Sequence, residues 1–206
     1  MTKIVVVDYN TGNVDSVIKA VKLFENDVIF TKNPKDLNNA NKIILPGQGS
    51  YNIAIDDLRK TGMFEKLIYK SLRENIPILG ICLGMQIMST LGYENNKETK
   101  GLNLIPGRVI KLKDNPNKLP HIGWNTVKFS LNHPIFKNIK NEKDFYFIHS
   151  FKYVTDDVNH SFASTHYNEN FSSVVIKDTN FGIQFHPEKS LGNGIKLIKN
   201  FLNIKI

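Results

Sequence analysis

The feature that most constrains the fold is a strict alternation in the first part of the chain. Residues 3–8 (KIVVVD) form an unbroken apolar run, the pattern of a strand covered on both faces. Residues 13–25 follow with Val14, Val17, Ile18, Val21 and Phe24 at helical spacing. Strands are then expected at 27–31, 42–45 and 77–81, helices at 52–60 and 64–74, and a buried helix at 85–91. Strand and helix in turn predict a parallel sheet with helices on both faces, because parallel neighbours need crossovers and the crossovers cover the sheet. The second half changes character. Short β-type segments at 108–113, 125–129, 145–149, 161–166, 173–177 and 182–185 are punctuated by Pro, Gly, Asn and Asp. They read as antiparallel additions to the same sheet or as a small second sheet. A terminal helix carries Ile195, Ile198, Phe201 and Leu202 on one face. With no internal repeat or linker, residues 1–206 are expected to form one α/β domain.

The chain has one cysteine, so no internal disulfide can form, which fits a reducing compartment. The opening MTKIVVVD is too short for a signal h-region, and no apolar run approaches the roughly 20 residues of a membrane span. The expectation is a soluble cytoplasmic protein. The net charge of +8 rests mostly on scattered lysines, with arginine only at positions 59, 73 and 108. That distribution argues against nucleic-acid binding and is compatible with an acidic ligand or protein partner.

The single cysteine is Cys82, in LGICLGMQ, just past the 77–81 strand and before a helix. Ligands of open parallel sheets sit beyond the carboxyl ends of the strands. Gly80 and Gly84 flank Cys82 at minus two and plus two, as a sharp strand-to-helix elbow requires, since a Cβ there would collide with the adjacent turn. A helix N-terminus aimed at the sulfur favours the thiolate. A cysteine nucleophile needs a base oriented by a third group. Of six histidines, His133 and His160 lie in polar stretches and read as solvated, while His121, His149 and His166 near β segments read as structural. His186 stands apart, after a strand and before Pro187-Glu188. The proline imposes an extended backbone on His186, which brings Glu188 to the same side. Cys82, His186 and Glu188 thus read as a catalytic triad. No second cysteine or close histidine pair supports a metal site, and no cofactor is expected.

GICLGMQ together with QFHPEKS resembles the class I, or triad, glutamine amidotransferases. Matching segments run nearly end to end: DYNTGNVDSV (8–17), LPGQGSYNIAIDDL (45–58), GICLGMQ (80–86), KGLNLIPGRV (100–109), LPHIGWN (119–125), YFIHSF (146–151) and GIQFHPEKS (182–190). PHIGWN combined with FHPEKS narrows the resemblance to the glutaminase subunits that serve imidazole glycerol phosphate synthase. The resemblance implies a three-layer, flavodoxin-like fold. It also implies that Cys82 attacks the side-chain amide of glutamine, that His186 moves the proton and that Glu188 orients His186. Gly47, Gln48 and Gly49 match the family's oxyanion strand, with Leu83 N–H as a further donor. Gln86 and the backbone at His149, Ser150 and Phe151 match positions that hold the glutamine headgroup. Such subunits dock on a (β/α)₈-barrel synthase partner, with Asn10, Asn13 and Trp124 expected at that surface. For Trp124 a core position is the other reading.

The loop departs from the usual PGVG pattern by having Gln48, less stiff than a β-branched residue. Either activity depends differently on the partner, or the substitution is tolerated because the loop's backbone does the work. Three other readings stay open: the same chemistry feeding a nucleotide-sugar amidation partner, a stand-alone cysteine hydrolase, and a non-catalytic docking subunit.

Overall fold

The computed structural model describes every residue except Met1, Thr11, Asn96, Leu131 and Ile206. Thr11, inside the 10–13 loop expected at the partner surface, is therefore outside the described residues. Strand β1 (Ile4–Val7) is buried at every position. Val5 and Val7 join one hydrophobic cluster with Ile43, Leu45, Ile55, Leu58 and Leu67. Ile4 and Val6 join a second with Val17, Val21, Ile44, Leu197 and Phe201. Alternate side chains of a strand face opposite ways, so a strand between two helical layers must be apolar throughout.

The remaining elements follow as α1 (Val14–Lys22), β2 (Val28–Thr31), β3 (Lys42–Leu45), α2 (Tyr51–Thr61), α3 (Met63–Leu72), β4 (Ile78–Ile81) and α4 (Leu83–Gln86). Next come β5 (Leu91–Glu94), β6 (Lys97–Lys100), β7 (Gly107–Lys111), β8 (His121–Phe129), β9 (Lys143–His149) and β10 (Phe151–Thr155). The chain ends with β11 (Ser161–Tyr167), β12 (Glu169–Lys177), β13 (Asn180–Ile183) and α5 (Leu191–Asn203). The sheet runs β2-β1-β3-β4-β13-β12-β10-β7-β5-β6, with β11 joining β12 to β8 and β8 pairing β9. Its first five strands are parallel, and β12, β10 and β7 continue antiparallel. The fold is the expected α/β sheet with helices on both sides and an antiparallel extension.

One pairing positions everything that follows. β13, from the far end of the chain, lies parallel beside β4, with Gly80 opposite Gly182 and Ile81 opposite Ile183. Residues just past Ile81 and just past Ile183 therefore emerge side by side at the carboxyl edge.

Three departures from the sequence reading have local causes. The helix expected over 85–91 stops at Gln86, because the carbonyls of Ile87, Met88 and Ser89 accept N–H groups from residues 102–105. Leu91 instead opens β5, and β5, β6 and β10 were all unread. β8 begins at His121 rather than 125, running through Gly123. Among the described residues, no helix is long and apolar enough to cross a membrane.

Candidate active site

Cys82 sits at φ 51°, ψ −104°, in the left-handed half of the map that non-glycine residues rarely enter. The flanking glycines make that turn feasible. A Cβ on Gly80 would lie 2.5 Å from the Gly84 carbonyl oxygen, and one on Gly84 would overlap the Leu45 carbonyl. The elbow is pinned by Cys82 N–H donating to Ile183 O at 2.7 Å and by Gln86 N–H donating to Cys82 O at 3.1 Å. The sulfur belongs to a residue only 4% exposed.

Past β13, His186 has the extended backbone expected before proline, at φ −100°, ψ 96°. Its N–H donates to Tyr146 O at 2.8 Å, and Ser190 Oγ donates to its carbonyl at 2.6 Å. Glu188, in the short turn Pro187–Lys189, accepts from the His186 Nδ1–H at 2.8 Å. That bond fixes the tautomer and leaves Nε2, which makes no hydrogen bond, for the nucleophile. Burial lowers the His186 pKa, but the neighbouring Cys82 and the charge and hydrogen bond of Glu188 outweigh it and push the imidazole up to about 10. The arrangement favours the imidazolium form of His186. In the neutral state the thiol is directed at the Ile148 carbonyl, 3.7 Å away.

The loop expected to hold the oxyanion is set differently from the expectation. Leu83 N–H donates to the Gly47 carbonyl at 3.3 Å, so that donor is occupied. Gly47 (φ 149°) and Gly49 (φ 142°) hold conformations open to glycine. The Gln48 carbonyl accepts from Gly12 N–H at 3.4 Å, and the buried Gln48 Nε2 makes no hydrogen bond. The Tyr9 hydroxyl donates to the Pro46 carbonyl and ties the start of the loop to the end of β1.

Gln86 and Phe151 are brought together, with Gln86 Nε2 donating to the Phe151 carbonyl at 3.1 Å. His149 also reaches that carbonyl, through Nδ1–H at 2.8 Å. Its Nε2 then accepts from His121 Nδ1–H at 3.0 Å, and His121 Nε2 accepts from Asn125 Nδ2 at 3.1 Å. Both rings are neutral: burial pushes His121 down to about 4, and burial with its neighbour's charge pushes His149 down to about 3. Ser150 is half-buried beside them, its carbonyl accepting from Leu112 N–H at 2.9 Å. His133, read from sequence as solvated, instead caps the Pro134–Phe136 turn, its Nδ1 accepting from Ile135 N–H at 3.1 Å. His160 is half-buried and His166 is exposed.

The residues expected at the partner surface divide. Trp124 is 49% exposed and Ile122, two residues earlier on the same face of β8, is 57% exposed, so the core reading of Trp124 is wrong. Asn10 is exposed and donates to Asp57 at 2.8 Å. Asn13, at φ 63° before α1, turns inward and donates to Glu188 Oε1 at 2.8 Å. Sequence reasoning did not single out that contact, nor Gln184, whose Nε2 reaches Cys82 Sγ at 3.6 Å. The signal for Gln184 was a lone polar side chain between Ile183 and Phe185 at a buried strand end. Among the described residues, no cluster of three or more His, Cys, Asp or Glu is arranged to hold a metal ion.

The chain is similar to known proteins along nearly its whole length. The chain is 42% identical over 207 residues to imidazole glycerol phosphate synthase subunit HisH of Pelagibacter ubique, covering 98% of this chain and 99% of the relative. It is 45% identical over 202 residues to the protein of the same name from Methanocaldococcus jannaschii, covering 97% and 98%. These relatives are named as subunits of a larger synthase. Among solved structures, a putative GMP synthase component from Thermoplasma acidophilum superposes with TM-score 0.75 at 19% identity, over 98% of this chain and 92% of that one. PurLQS from Thermotoga maritima gives TM-score 0.74 at 20% identity, over 98% of both. The family described as glutamine amidotransferase class-I is matched over residues 5–204, and with near-complete relatives above 40% identity, the chain belongs to the class-I glutamine amidotransferases.

Proposed function

We propose that the chain hydrolyses glutamine to glutamate and ammonia as the glutaminase subunit of imidazole glycerol phosphate synthase, in histidine biosynthesis. The observation that carries the chemistry is the elbow. A cysteine held at positive φ between two glycines that admit no side chain lies beside a histidine already paired to a carboxylate. The relatives' names carry the pathway. Residues 1–206 act as one domain, since β4 and β13 bring the two halves of the chain to one site.

In this reading the Cys82 thiolate attacks the glutamine amide carbon. The His186 imidazolium gives its Nε2 proton to the departing nitrogen, and ammonia leaves. Water, deprotonated by the now neutral His186, cleaves the γ-glutamyl thioester to glutamate and restores the thiolate. Glu188 holds the ring throughout. Gln86 and the 149–151 backbone form one wall of the substrate site. The Gly47–Gln48 peptide must turn over for the oxyanion to be held, which frees Leu83 N–H and presents the Gln48 N–H. One such donor is worth about 10²–10³ in kcat. The ammonia acceptor lies on a (β/α)₈-barrel partner that docks over Ile122 and Trp124. An exposed aromatic flanked by an aliphatic is the kind of anchor such interfaces use.

The test is ammonia release from glutamine by the purified chain, alone and with the barrel partner and its nucleotide ligand. Strong stimulation that vanishes in Cys82→Ala is the expected result. Full activity without a partner would replace this reading with an independent hydrolase. Stimulation only by a sugar-amidating barrel would replace the pathway. Tight docking with no turnover in either complex would leave a docking subunit.

A further inference from the structure

A further side chain that touches the nucleophile is Gln184, fully buried just past β13. Its amide faces Gln86 with one end and Cys82 with the other, and the two ends differ in chemistry: an oxygen there would repel a thiolate, whereas an N–H would hold it. Hydrogen-bond logic decides which end is which. The Phe151 carbonyl can only accept. Gln86 therefore presents its NH₂ group to it, at 3.1 Å. The second hydrogen of that same nitrogen points at Gln184, 3.2 Å away, so Gln184 must answer with its oxygen. Its own NH₂ group is left facing the Cys82 sulfur at 3.6 Å. The orientation is imposed by a backbone carbonyl two residues away in the network and does not depend on the state of the sulfur.

We infer that Gln184 is a further catalytic residue, which donates an amide N–H to the Cys82 sulfur and holds it as the thiolate, with Gln86 fixing the direction of that donor. The inference rests on Cys82 being the nucleophile. It gives the sulfur two opposed partners. The Ile148 carbonyl, 3.7 Å away, accepts from the neutral thiol, and Gln184 serves the ionised sulfur. Ionisation therefore releases the sulfur from Ile148 toward His186 while Gln184 keeps its hold. The other ionisable groups around it are His186, with Glu188 behind it, from the β13 side, and the buried Tyr9 hydroxyl from the end of β1.

Because Cys82 is the only cysteine, its ionisation can be followed in the intact chain as the pH-dependent ultraviolet thiolate absorbance, taken as a difference against Cys82→Ala. Gln184→Met keeps the bulk and removes the donor. The midpoint should rise by roughly one to two pH units, the range expected for losing a hydrogen bond to a charged group. Gln184→Glu removes the donor and adds a negative charge, so its midpoint should rise further. Gln86→Met leaves Gln184 in place but unpins its orientation, and should give a smaller rise. That variant decides the matter if neither Gln184 variant unfolds cooperatively. His186→Asn separates this inference from the triad reading. If His186→Asn shifts the midpoint while folded Gln184→Met and Gln86→Met leave it unchanged, the inference is overturned and the triad stands. If His186→Asn leaves it unchanged as well, the triad reading falls with it.

Discussion

Glu188 is bonded on one side only. Its Oε1 accepts from both His186 Nδ1–H and Asn13 Nδ2–H, each at 2.8 Å, while Oε2 is buried without a partner. The carboxylate charge is thereby concentrated on the ring. It is one of the causes that hold His186 near 10, so its removal has a definite sign. In Glu188→Gln the imidazolium loses its counter-charge, and its pKa falls toward the ordinary histidine value. The alkaline limb of kcat/KM for the stimulated enzyme should move to lower pH, and the rate at neutral pH should drop by about 10²–10⁴-fold. A pH–rate series on the complex measures both. The proposed triad was legible in the sequence because its members are announced by their own backbone: glycines around Cys82, a proline after His186. Asn13 and Gln184 are not announced. Their partners lie 175 and 102 residues away in the chain; the packing of α1 on the 187–189 turn brings Asn13 into range, and the pairing of β4 with β13 brings Gln184.

At the scale of elements, β8 and β9 are joined by an unusual cross-strand pair, His121 opposite His149, both rings buried and neutral. Their folded pKa values, about 4 and about 3, lie below the ordinary value near 6.5. Between those limits the unfolded chain binds protons that the folded pair refuses. Stability is therefore fully present above about pH 6.5 and falls as pH drops toward 4. The expected slope is roughly 1.4 kcal/mol per pH unit for each proton taken up. One proton is the count used, since the two rings are hydrogen-bonded to each other and titrate as a coupled pair. Urea unfolding at several pH values from 7 to 4.5, a window in which most carboxylates stay ionised, measures this slope. The His149→Asn variant should flatten it, leaving a smaller contribution from His133, which burial also lowers. The element reading from sequence succeeded where burial leaves an unambiguous mark, as in the two-sided strands β1, β3 and β4. It failed over 85–91, because a short segment buried on all sides has no polar face to reveal its period. β5 and β6 escaped notice since polar and charged residues outnumber apolar ones between Leu91 and Lys100.

For the whole molecule, only a few residues separate the candidate site from the proposed docking surface. Trp124 and Ile122 project outward from β8, while Asn125 and His121, on the same strand, point into the polar chain that ends on the Phe151 carbonyl. Tyr146 on β9, directly opposite Trp124, packs edge-on against its ring at 6.0 Å, and the Tyr146 carbonyl also anchors the His186 backbone. A partner that covers Trp124 thus bears on the strand that positions the base. A side chain so exposed contributes little to folding, and an interface anchor of this type is worth about 2 kcal/mol or more. Trp124→Ala should leave the thermal unfolding midpoint within experimental error of the parent. It should weaken binding of the barrel partner by on the order of 30-fold, measured by calorimetry. The informative quantity is then glutaminase turnover at saturating partner. If Trp124 only anchors, full stimulation returns once the partner concentration exceeds the weakened Kd. If turnover stays low when docking is complete, the ring also carries the partner's presence through Tyr146 to His186.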